Sequence, residues 1–168
     1  MASMKKELKL RFKAGPQEQA TYYWGGGTPS ILPNIEMASL AQIALENAPL
    51  KIGGEFTLEV NPDDVTHQSL KDWKNIGVNR LSIGVQSFMN DKLEWMNRTH
   101  NSDQAHSAIK RSQDAGFDNI SIDLIYGIPD SSLDEWQNNV GIAIETGVVH
   151  LSTYALTVEE KTKSHRNS

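Results

Sequence analysis

The run Gly25-Gly26-Gly27-Thr28-Pro29 follows directly after an aromatic, strand-like segment and is the strongest chemical signal in the chain. Glycine permits positive φ and a close approach of the backbone, so a ligand can contact main-chain groups in such a loop. The run lacks the Gly-Lys-Ser/Thr ending of a Walker loop and does not match the dinucleotide-binding fingerprint. A tight strand-to-helix turn, with no ligand involved, is the alternative interpretation.

Glu59 and Gln86 each place a polar side chain at the end of an apolar run. An Asn-Pro pair favours a turn after Glu59, near a strand end where a carboxylate can hold a ribose diol or an ammonium group. A loop-bracing or helix-capping acid is the alternative for Glu59. Alternation puts Gln86 on the same strand face as Ser82 and Gly84, which leave room for it. A helix packed against Gly84 would explain the small residues equally well.

Asp123 interrupts the otherwise apolar run from Ile120 to Tyr126. An ionised carboxylate in a central strand is costly unless it is paired or used. An ion pair with Arg80 or Arg98 is therefore the structural alternative to a ligand-binding role. Arg98 itself is interpreted either as a cation of the same site or as a solvated cation at a helix end.

The remaining side chains that carry out catalysis in other proteins show no useful spacing. There is no Gly-x-Ser-x-Gly elbow, and the histidines lack paired-ligand spacing, so we expect surface or capping roles for them. These histidines are His67, His100, His106, His150 and His165. The chain contains no cysteine, which excludes disulfides, thiolate zinc sites, cysteine nucleophiles and protein-thiolate iron–sulfur sites.

The elements that must position these residues alternate between strand-like and helical segments. Five strands are predicted, at Thr21–Trp24, Phe56–Val60, Arg80–Val85, Asn119–Tyr126 and His150–Leu156. Helices are predicted to begin at the caps Asn34, Thr66, Asn101 and Ser132 and to end at Pro49, Gly77, Gly116 and Gly147. Two further helices are predicted over Lys5–Phe12 and Asp91–Asn97.

This alternation predicts right-handed crossovers and a parallel sheet covered by helices. Polar signals recur at the carboxyl end of nearly every strand rather than at one switch point, which favours a barrel or partial barrel over a doubly wound sheet. We expect one barrel domain over residues 1–158 and a polar, frayed tail over residues 159–168.

The composition is that of an ordinary globular chain of 168 residues, with 16 basic and 21 acidic side chains and a net charge of −5. An acidic balance without Lys/Arg clusters argues against nucleic acid as the main partner. No apolar run is long enough for a membrane helix, and the start lacks the apolar region of a secretory signal. We therefore expect a cytoplasmic protein.

Several motifs in series resemble the radical S-adenosylmethionine (SAM) superfamily, and within it the oxygen-independent coproporphyrinogen III oxidase-like group. They follow the family's order: YYWGGGTPS, LEVNPDDV, GVNRLSIGVQSF, NRTH, AGFDNISIDLIYGIP and HLSTYALTVEEKT. The segments NPDD, RTH and YALTVE resemble the haem-chaperone (HemW-type) branch more closely than the oxidase.

The resemblance implies an α/β fold, an incomplete parallel (β/α)6 TIM-like barrel with SAM across the strand ends. About five β/α units would be present here, with the first strand and the cluster loop missing. Matched by position, the SAM-binding residues would be Gly26, Gly27, Thr28, Glu59, Gln86, Arg98, Asp123 and, near the adenine, Ala155.

The family's Cys-x3-Cys-x2-Cys motif has no counterpart in this chain, although three thiolates are needed to hold the 4Fe–4S cluster that binds SAM. We therefore expect the central part of a longer protein, inactive alone and with weak or lost SAM binding. The parent would bind the cluster, SAM, and haem or porphyrin. Without the first strand, Thr21–Trp24 would form an exposed parallel edge that favours self-association.

The leading functional hypothesis is a part of a haem chaperone that binds and delivers haem. One alternative is a part of a coproporphyrinogen III oxidase, which decarboxylates propionates in porphyrin biosynthesis. A third is a degenerate barrel that binds a nucleotide-like ligand or a partner without redox chemistry.

Overall fold

The computed structural model describes residues 2–12 and 17–157, and these form helices and strands in alternation. The strands are β1 (Gln19–Trp24), β2 (Leu50–Val60), β3 (Arg80–Gln86), β4 (Asn119–Tyr126) and β5 (His150–Ala155). The helices are α1 (Ala2–Arg11), α2 (Asn34–Asn47), α3 (His67–Asn75), α4 (Asn90–Trp95), α5 (Ser102–Asp114) and α6 (Leu133–Glu145). The expected tail over 159–168 lies outside the described residues.

The five strands form one sheet in the order β1-β2-β3-β4-β5, and every neighbouring pair is parallel. Because each crossover moves one position in the same direction, there is no switch point of the kind that defines a doubly wound sheet. The sheet curls into a half-barrel with β1 and β5 at its two edges. The predicted partial parallel barrel of the α/β class is confirmed.

The helices cover the outer face of the sheet, and this interface is the hydrophobic core. Alternate strand residues such as Phe56, Leu58 and Ile122 are fully buried there. Trp73 of α3 and Ile109 of α5 pack into the same cluster. The outer face thus supplies the stability of the fold, which leaves the inner face free for polar side chains.

The inner face carries the residues with chemical potential, because side chains alternate across a strand. Glu55, Thr57 and Glu59 of β2 take the positions between the buried apolar residues. Asp123 of β4 contacts Ser82 of β3 across this face. The parallel strands end at one edge of the sheet, so their last inner-facing side chains meet there.

Three of the four predicted helix caps are present. Thr66, Asn101 and Ser132 each accept a hydrogen bond from the backbone N–H three residues later, at 2.9–3.1 Å, in reciprocal capping boxes. The predicted stops after α3, α5 and α6 are glycines in the left-handed region: Gly77 (φ 99°), Gly116 (φ 79°) and Gly147 (φ 73°). These signals depend on residues close in sequence, and they predicted the helix ends correctly.

Several boundaries differ from the prediction by one to three residues; α1, for example, begins at Ala2 and not at Lys5, and β1 begins at Gln19 and not at Thr21. Two further differences are informative. Asn34 is the first residue of α2 rather than its cap, and its side chain donates instead to Asp72 on α3. Strand β2 begins at Leu50 and not at Phe56. Its first part pairs with the start of β1, and the register between the two strands shifts after Gln19. The two glycines at positions 53 and 54 interrupt the apolar pattern there and hide this part of the strand from sequence analysis.

Candidate functional site at the carboxyl ends of the strands

A pocket of about 300 Å³ opens at the carboxyl ends of β2 to β5, within the size range of small-molecule sites. Six of the eight residues proposed from the sequence line it: Gly27, Thr28, Glu59, Gln86, Arg98 and Asp123. Gly26 borders the adjacent groove and reaches the site through Glu59. Ala155 is not brought into the pocket; it follows the pocket residue Tyr154 at the end of β5.

The glycine loop is held by the carboxylate of Glu59. Gly26 (φ 81°) and Gly27 (φ 67°) adopt a backbone that other residues rarely accept. The Gly26 N–H donates to Glu59 Oε2 at 3.0 Å, and the Tyr23 hydroxyl donates to Oε1 at 2.6 Å. Glu59 therefore braces the loop, as its alternative interpretation stated, while also lining the pocket. Burial, and next the bond to Glu59, raise the pKa of Tyr23 to about 12, so the phenol stays a donor.

Asp123 has hydroxyl contacts and no ion pair within the described part of the chain. The Ser82 hydroxyl lies 3.3 Å from its Oδ1. Burial raises the pKa of Asp123, a hydrogen bond from Ser82 opposes the rise, and the charge of Glu59 adds to it. Arg80 lies instead 3.7 Å from Glu55 at the other end of the strands. The predicted ion-pair alternative is therefore wrong, and the Asp123 carboxylate is left for something that enters the pocket.

Arg98 is half-buried and points into the pocket, so the interpretation as a solvated helix-end cation is wrong. Its Nη2 donates to Asn61 Oδ1 at 3.0 Å and to the Gly84 carbonyl at 3.3 Å. Burial lowers the pKa of Arg98 from its usual value. The guanidinium contacts neutral acceptors through Nη2, so its charge can be matched by an anionic ligand group.

Gly84 makes room for pocket side chains and not for a helix. A Cβ at this position would lie 2.9 Å from Gln86 Nε2 and 3.6 Å from Arg98 Nη2. Gln86 itself has φ 68°, and the pairing of β3 with β4 is irregular just before it. This turn directs the Gln86 side chain over Gly84, on the strand face that alternation predicts, whereas the positive φ itself is not predicted by alternation.

His100 contradicts the expectation that the histidines are surface or capping residues. It is 3% exposed, and its Nε2 lies 3.0 Å from the Val85 carbonyl oxygen. His67, His106 and His150 are exposed as expected, and His165 lies outside the described residues. Sequence reasoning also gave no site role to Tyr23, Asn61 or Ser82. Of these, only Ser82 carried a usable signal, since it shares a strand face with Gln86.

The pocket combines two carboxylates, one guanidinium, two side-chain amides and a glycine loop. Carboxylates accept from ammonium groups and diols, while the guanidinium matches a carboxylate. The donor set suits a zwitterionic ligand with a sugar-like diol. By contrast, residues 2–12 and 17–157 contain no cluster of three or more potential metal ligands. With no cysteine in the sequence, the residues of this chain do not fit an iron–sulfur cluster.

None of the helices described here is long and apolar enough to cross a membrane.

The fold and the site together indicate the class of protein to which this chain belongs. The family model of the radical SAM superfamily matches residues 4–140. The chain belongs to this superfamily.

Two curated relatives are similar to most of this chain. Heme chaperone HemW of Bacillus subtilis is 38% identical over 153 residues, and the match covers 89% of this chain and 40% of that protein. Heme chaperone HemW of Escherichia coli is 40% identical over 146 residues, covering 87% of this chain and 39% of that protein. The chain thus spans about two fifths of the length of these curated relatives.

A solved structure shares the fold. The coproporphyrinogen III oxidase HemN of Escherichia coli, described as a radical SAM enzyme, superimposes with a TM-score of 0.85 at 25% sequence identity. The match covers 93% of this chain and 36% of that structure. The similarity to the chaperones and to the oxidase agrees with the resemblance seen in the motifs.

Proposed function

We propose that this chain is the SAM-binding half-barrel of a haem chaperone of the radical SAM superfamily. One observation carries the proposal: polar residues that are far apart in sequence line a single pocket at the strand ends. Six of them stand at positions that the family resemblance assigns to the cofactor. The relatives at 38–40% identity, both named heme chaperones, support the choice of branch.

The pocket residues divide the ligand between them. Gly27 and Thr28 offer backbone groups to the methionyl part of SAM, with Gly26 held in place by Glu59. Arg98 faces the ligand's carboxylate, and Glu59 and Asp123 supply acceptors for its cationic and hydroxyl groups. Next to a reduced cluster, bound SAM supplies one-electron radical chemistry. Gln86 completes the polar wall, and Ala155, which follows the lining residue Tyr154, would lie near the adenine.

The 4Fe–4S cluster and haem are proposed for the parent protein, in the cytoplasm. This chain carries no thiolate to hold the cluster. Its role would be to form the barrel domain over residues 1–158, with SAM affinity weakened by the missing iron. After anaerobic iron–sulfur reconstitution, we expect the purified chain to show no absorbance band of a cluster; a stable cluster would contradict this.

Calorimetry with SAM tests the proposal. Wild type should bind weakly, and Asp123→Ala should weaken binding by roughly tenfold or more, since a hydrogen bond to a charged group is lost. The matched control is Asp118→Ala, an exposed aspartate just before β4 that does not line the pocket. Equal binding in wild type and Asp123→Ala would remove Asp123 from the site. No binding by wild type would overturn the SAM proposal for this chain.

The structural match to HemN favours the oxidase as the second candidate. The chaperone and oxidase proposals can be distinguished in a longer protein that joins this chain to the family's cluster cysteines. A chaperone binds haem and leaves coproporphyrinogen III unchanged, whereas an oxidase decarboxylates it. Formation of the decarboxylated product would therefore replace the chaperone proposal.

We further propose that the free edge of β1 drives self-association. Strand β1 pairs only with β2 in the described sheet, and an unpaired strand edge is a template for another strand. Sedimentation should show a concentration-dependent dimer, which Thr21→Lys should weaken by placing a charge on the exposed edge. Fast hydrogen exchange in β1 relative to β3 should accompany a monomer; equal protection in a monomer would contradict the exposed edge.

A further inference from the structure

The carbonyl oxygen of Val85 accepts two hydrogen bonds at the end of β3. The Ser87 N–H donates to it at 2.8 Å, and His100 Nε2 lies 3.0 Å away. The first bond closes a three-residue turn around Gln86, whose φ is 68°. Turns of this positive-φ form are rare and strained. Such backbone persists only where the surrounding structure holds it.

His100 can hold the turn because its Nε2 is a hydrogen-bond donor. A carbonyl oxygen only accepts, so Nε2 must carry the hydrogen. The other ring nitrogen, Nδ1, is buried and has no partner among the described residues. Burial lowers the pKa of His100, which favours the neutral ring with Nδ1 free of a proton. Within the described part of the chain, the hydrogen bond of this buried ring is therefore the one directed at Val85.

The loop that carries His100 is fixed at several points. Asn97 adopts φ 56°, and the Arg98 N–H donates to the Leu93 carbonyl at 2.9 Å. The Thr99 hydroxyl donates to Asp63 on the neighbouring strand's loop. Arg98, two residues before His100, enters the pocket from the same loop. The histidine thus sits on a rigid support, as a group that restrains another element must.

The side chain of Gln86 is the group that the turn directs. Its Nε2 lies over Gly84, 2.9 Å from where a Cβ would be. The register of β3 against β4 shifts between Ile83 and Gln86, so Gln86 pairs with Leu124 only after an interruption of the regular ladder. Without a restraint at Val85, the strand would relax toward ordinary extended backbone and carry the amide away from the pocket.

Building on the proposed SAM site, we infer that His100 is a positioning residue. Its Nε2–H donates to the Val85 carbonyl, holds the positive-φ turn at Gln86, and keeps the Gln86 amide in the pocket. It acts through Gln86 and does not itself contact the ligand.

Nuclear magnetic resonance tests the turn without any ligand. Wild type should show the strong intraresidue HN–Hα contact of Gln86 that positive φ produces, and slow exchange of the Ser87 amide. His100→Met, which lacks the donor, should lose both signals. His100→Gln places an amide donor near the position of Nε2 and should restore them. The exposed His67→Met is the control, and we expect it to resemble wild type.

Calorimetry with SAM tests the consequence through a double-mutant cycle. His100→Met and Gln86→Gly should each weaken SAM binding by roughly threefold to tenfold, within the range of coupling between contacting residues. The double variant should bind no more weakly than Gln86→Gly alone, because His100 acts through the Gln86 side chain. Glycine accepts positive φ, so Gln86→Gly keeps the turn and removes only the amide.

The outcomes are separable. Additive losses of affinity in the double-mutant cycle would overturn the inference. So would a His100→Met chain that keeps both the HN–Hα contact of Gln86 and the slow exchange of the Ser87 amide. If wild type does not bind SAM, the proposed function fails, and the magnetic resonance arm still decides whether His100 holds the turn. If His100→Met does not fold, His100→Asn takes its place, since its amide is too short to reach Val85.

Discussion

Strand β2 carries two glutamates on the same inner face, and they differ in whether a cation of the protein matches their charge. Glu55, beside the amino ends of β3 and β4, lies 3.7 Å from the Arg80 guanidinium and accepts from Asn119 and Thr57. Glu59, at the carboxyl end, accepts from the neutral donors Tyr23 and Gly26 and from no cation among residues 2–12 and 17–157. The amino-end cluster is satisfied within the protein, whereas the carboxyl-end cluster leaves charge for a ligand.

The same contrast holds for the cations. Arg80 faces a carboxylate, so its charge is matched inside the fold. Arg98 donates to the side-chain amide of Asn61 and to a backbone carbonyl. Polar residues on one sheet face therefore serve two purposes: at one end they join the strands, and at the other they form a site. Burial and residue type alone do not distinguish them; their partners do.

Removing one arginine from each end should give the largest difference in stability. Arg80→Met should lower the free energy of unfolding by about 2 kcal/mol, because it leaves Glu55 without a counter-charge in a partly buried place. Arg98→Met should cost less, about 1 kcal/mol, because only neutral acceptors lose a donor. Denaturant unfolding of both variants measures this. Equal losses would break the distinction between the two ends.

Adding a methyl group at each end should give a smaller difference. At Gly54, a Cβ would meet the Lys51 carbonyl at 2.9 Å, a backbone atom that cannot turn aside. Gly54→Ala should therefore cost about 1 kcal/mol or more. At Gly84 the obstacle is the far end of the Gln86 side chain, which can move aside at less cost than backbone, so Gly84→Ala should cost less than this in stability.

For ligand binding, the order of the two glycine variants is the reverse of their order for stability. Gly84→Ala should weaken SAM binding severalfold, because the added Cβ displaces the Gln86 amide from the pocket. Gly54→Ala should leave binding unchanged. Thermal unfolding and calorimetry on the two variants check both halves, and a binding defect in Gly54→Ala would count against the division.

The smallest effect is a pH dependence at Asp123. Because burial raises its pKa in the folded chain, the folded state holds this proton more tightly than the unfolded state does. Stability is then highest below the ordinary pKa of 3.8 and falls as pH rises through the raised value. Asp123→Asn should remove this loss and be slightly more stable than wild type at neutral pH, with no advantage in acid.

Unfolding in a pH series compares Asp123→Asn with Asp118→Asn, the exposed control. If the stability difference between Asp123→Asn and wild type does not depend on pH, Asp123 is not held as a buried, unpaired acid. That result would mean that the charged groups at the carboxyl end have partners within the protein, as those at the amino end do.

Local sequence predicted the elements well, because their signals span only a few residues. The caps at Thr66, Asn101 and Ser132 form hydrogen bonds three residues away, so the sequence contains both partners. It failed at Asn34, where a distant partner, Asp72, takes the side chain. The start of β2 was missed for a similar reason, since its pairing depends on β1.

The location of the site was also predictable from sequence. Parallel strands end at one edge, so polar residues that close successive strands must meet there. The order of strands and polar residues along the chain is enough to predict that Glu59, Gln86 and Asp123 lie together. It left two alternatives open for each of Glu59 and Arg98, and only the structure shows that Glu59 braces the glycine loop and that Arg98 turns inward.

By itself, then, the sequence determined the alternation of strands and helices, the absence of any thiolate, and the residues that gather at the strand ends. The tertiary structure decided their partners: Glu55 and not Asp123 for Arg80, and Val85 for His100. The physical reason is range. Periodicity and capping act between near neighbours, whereas a salt bridge or a strained turn depends on strand register and on loops that fold back from elsewhere.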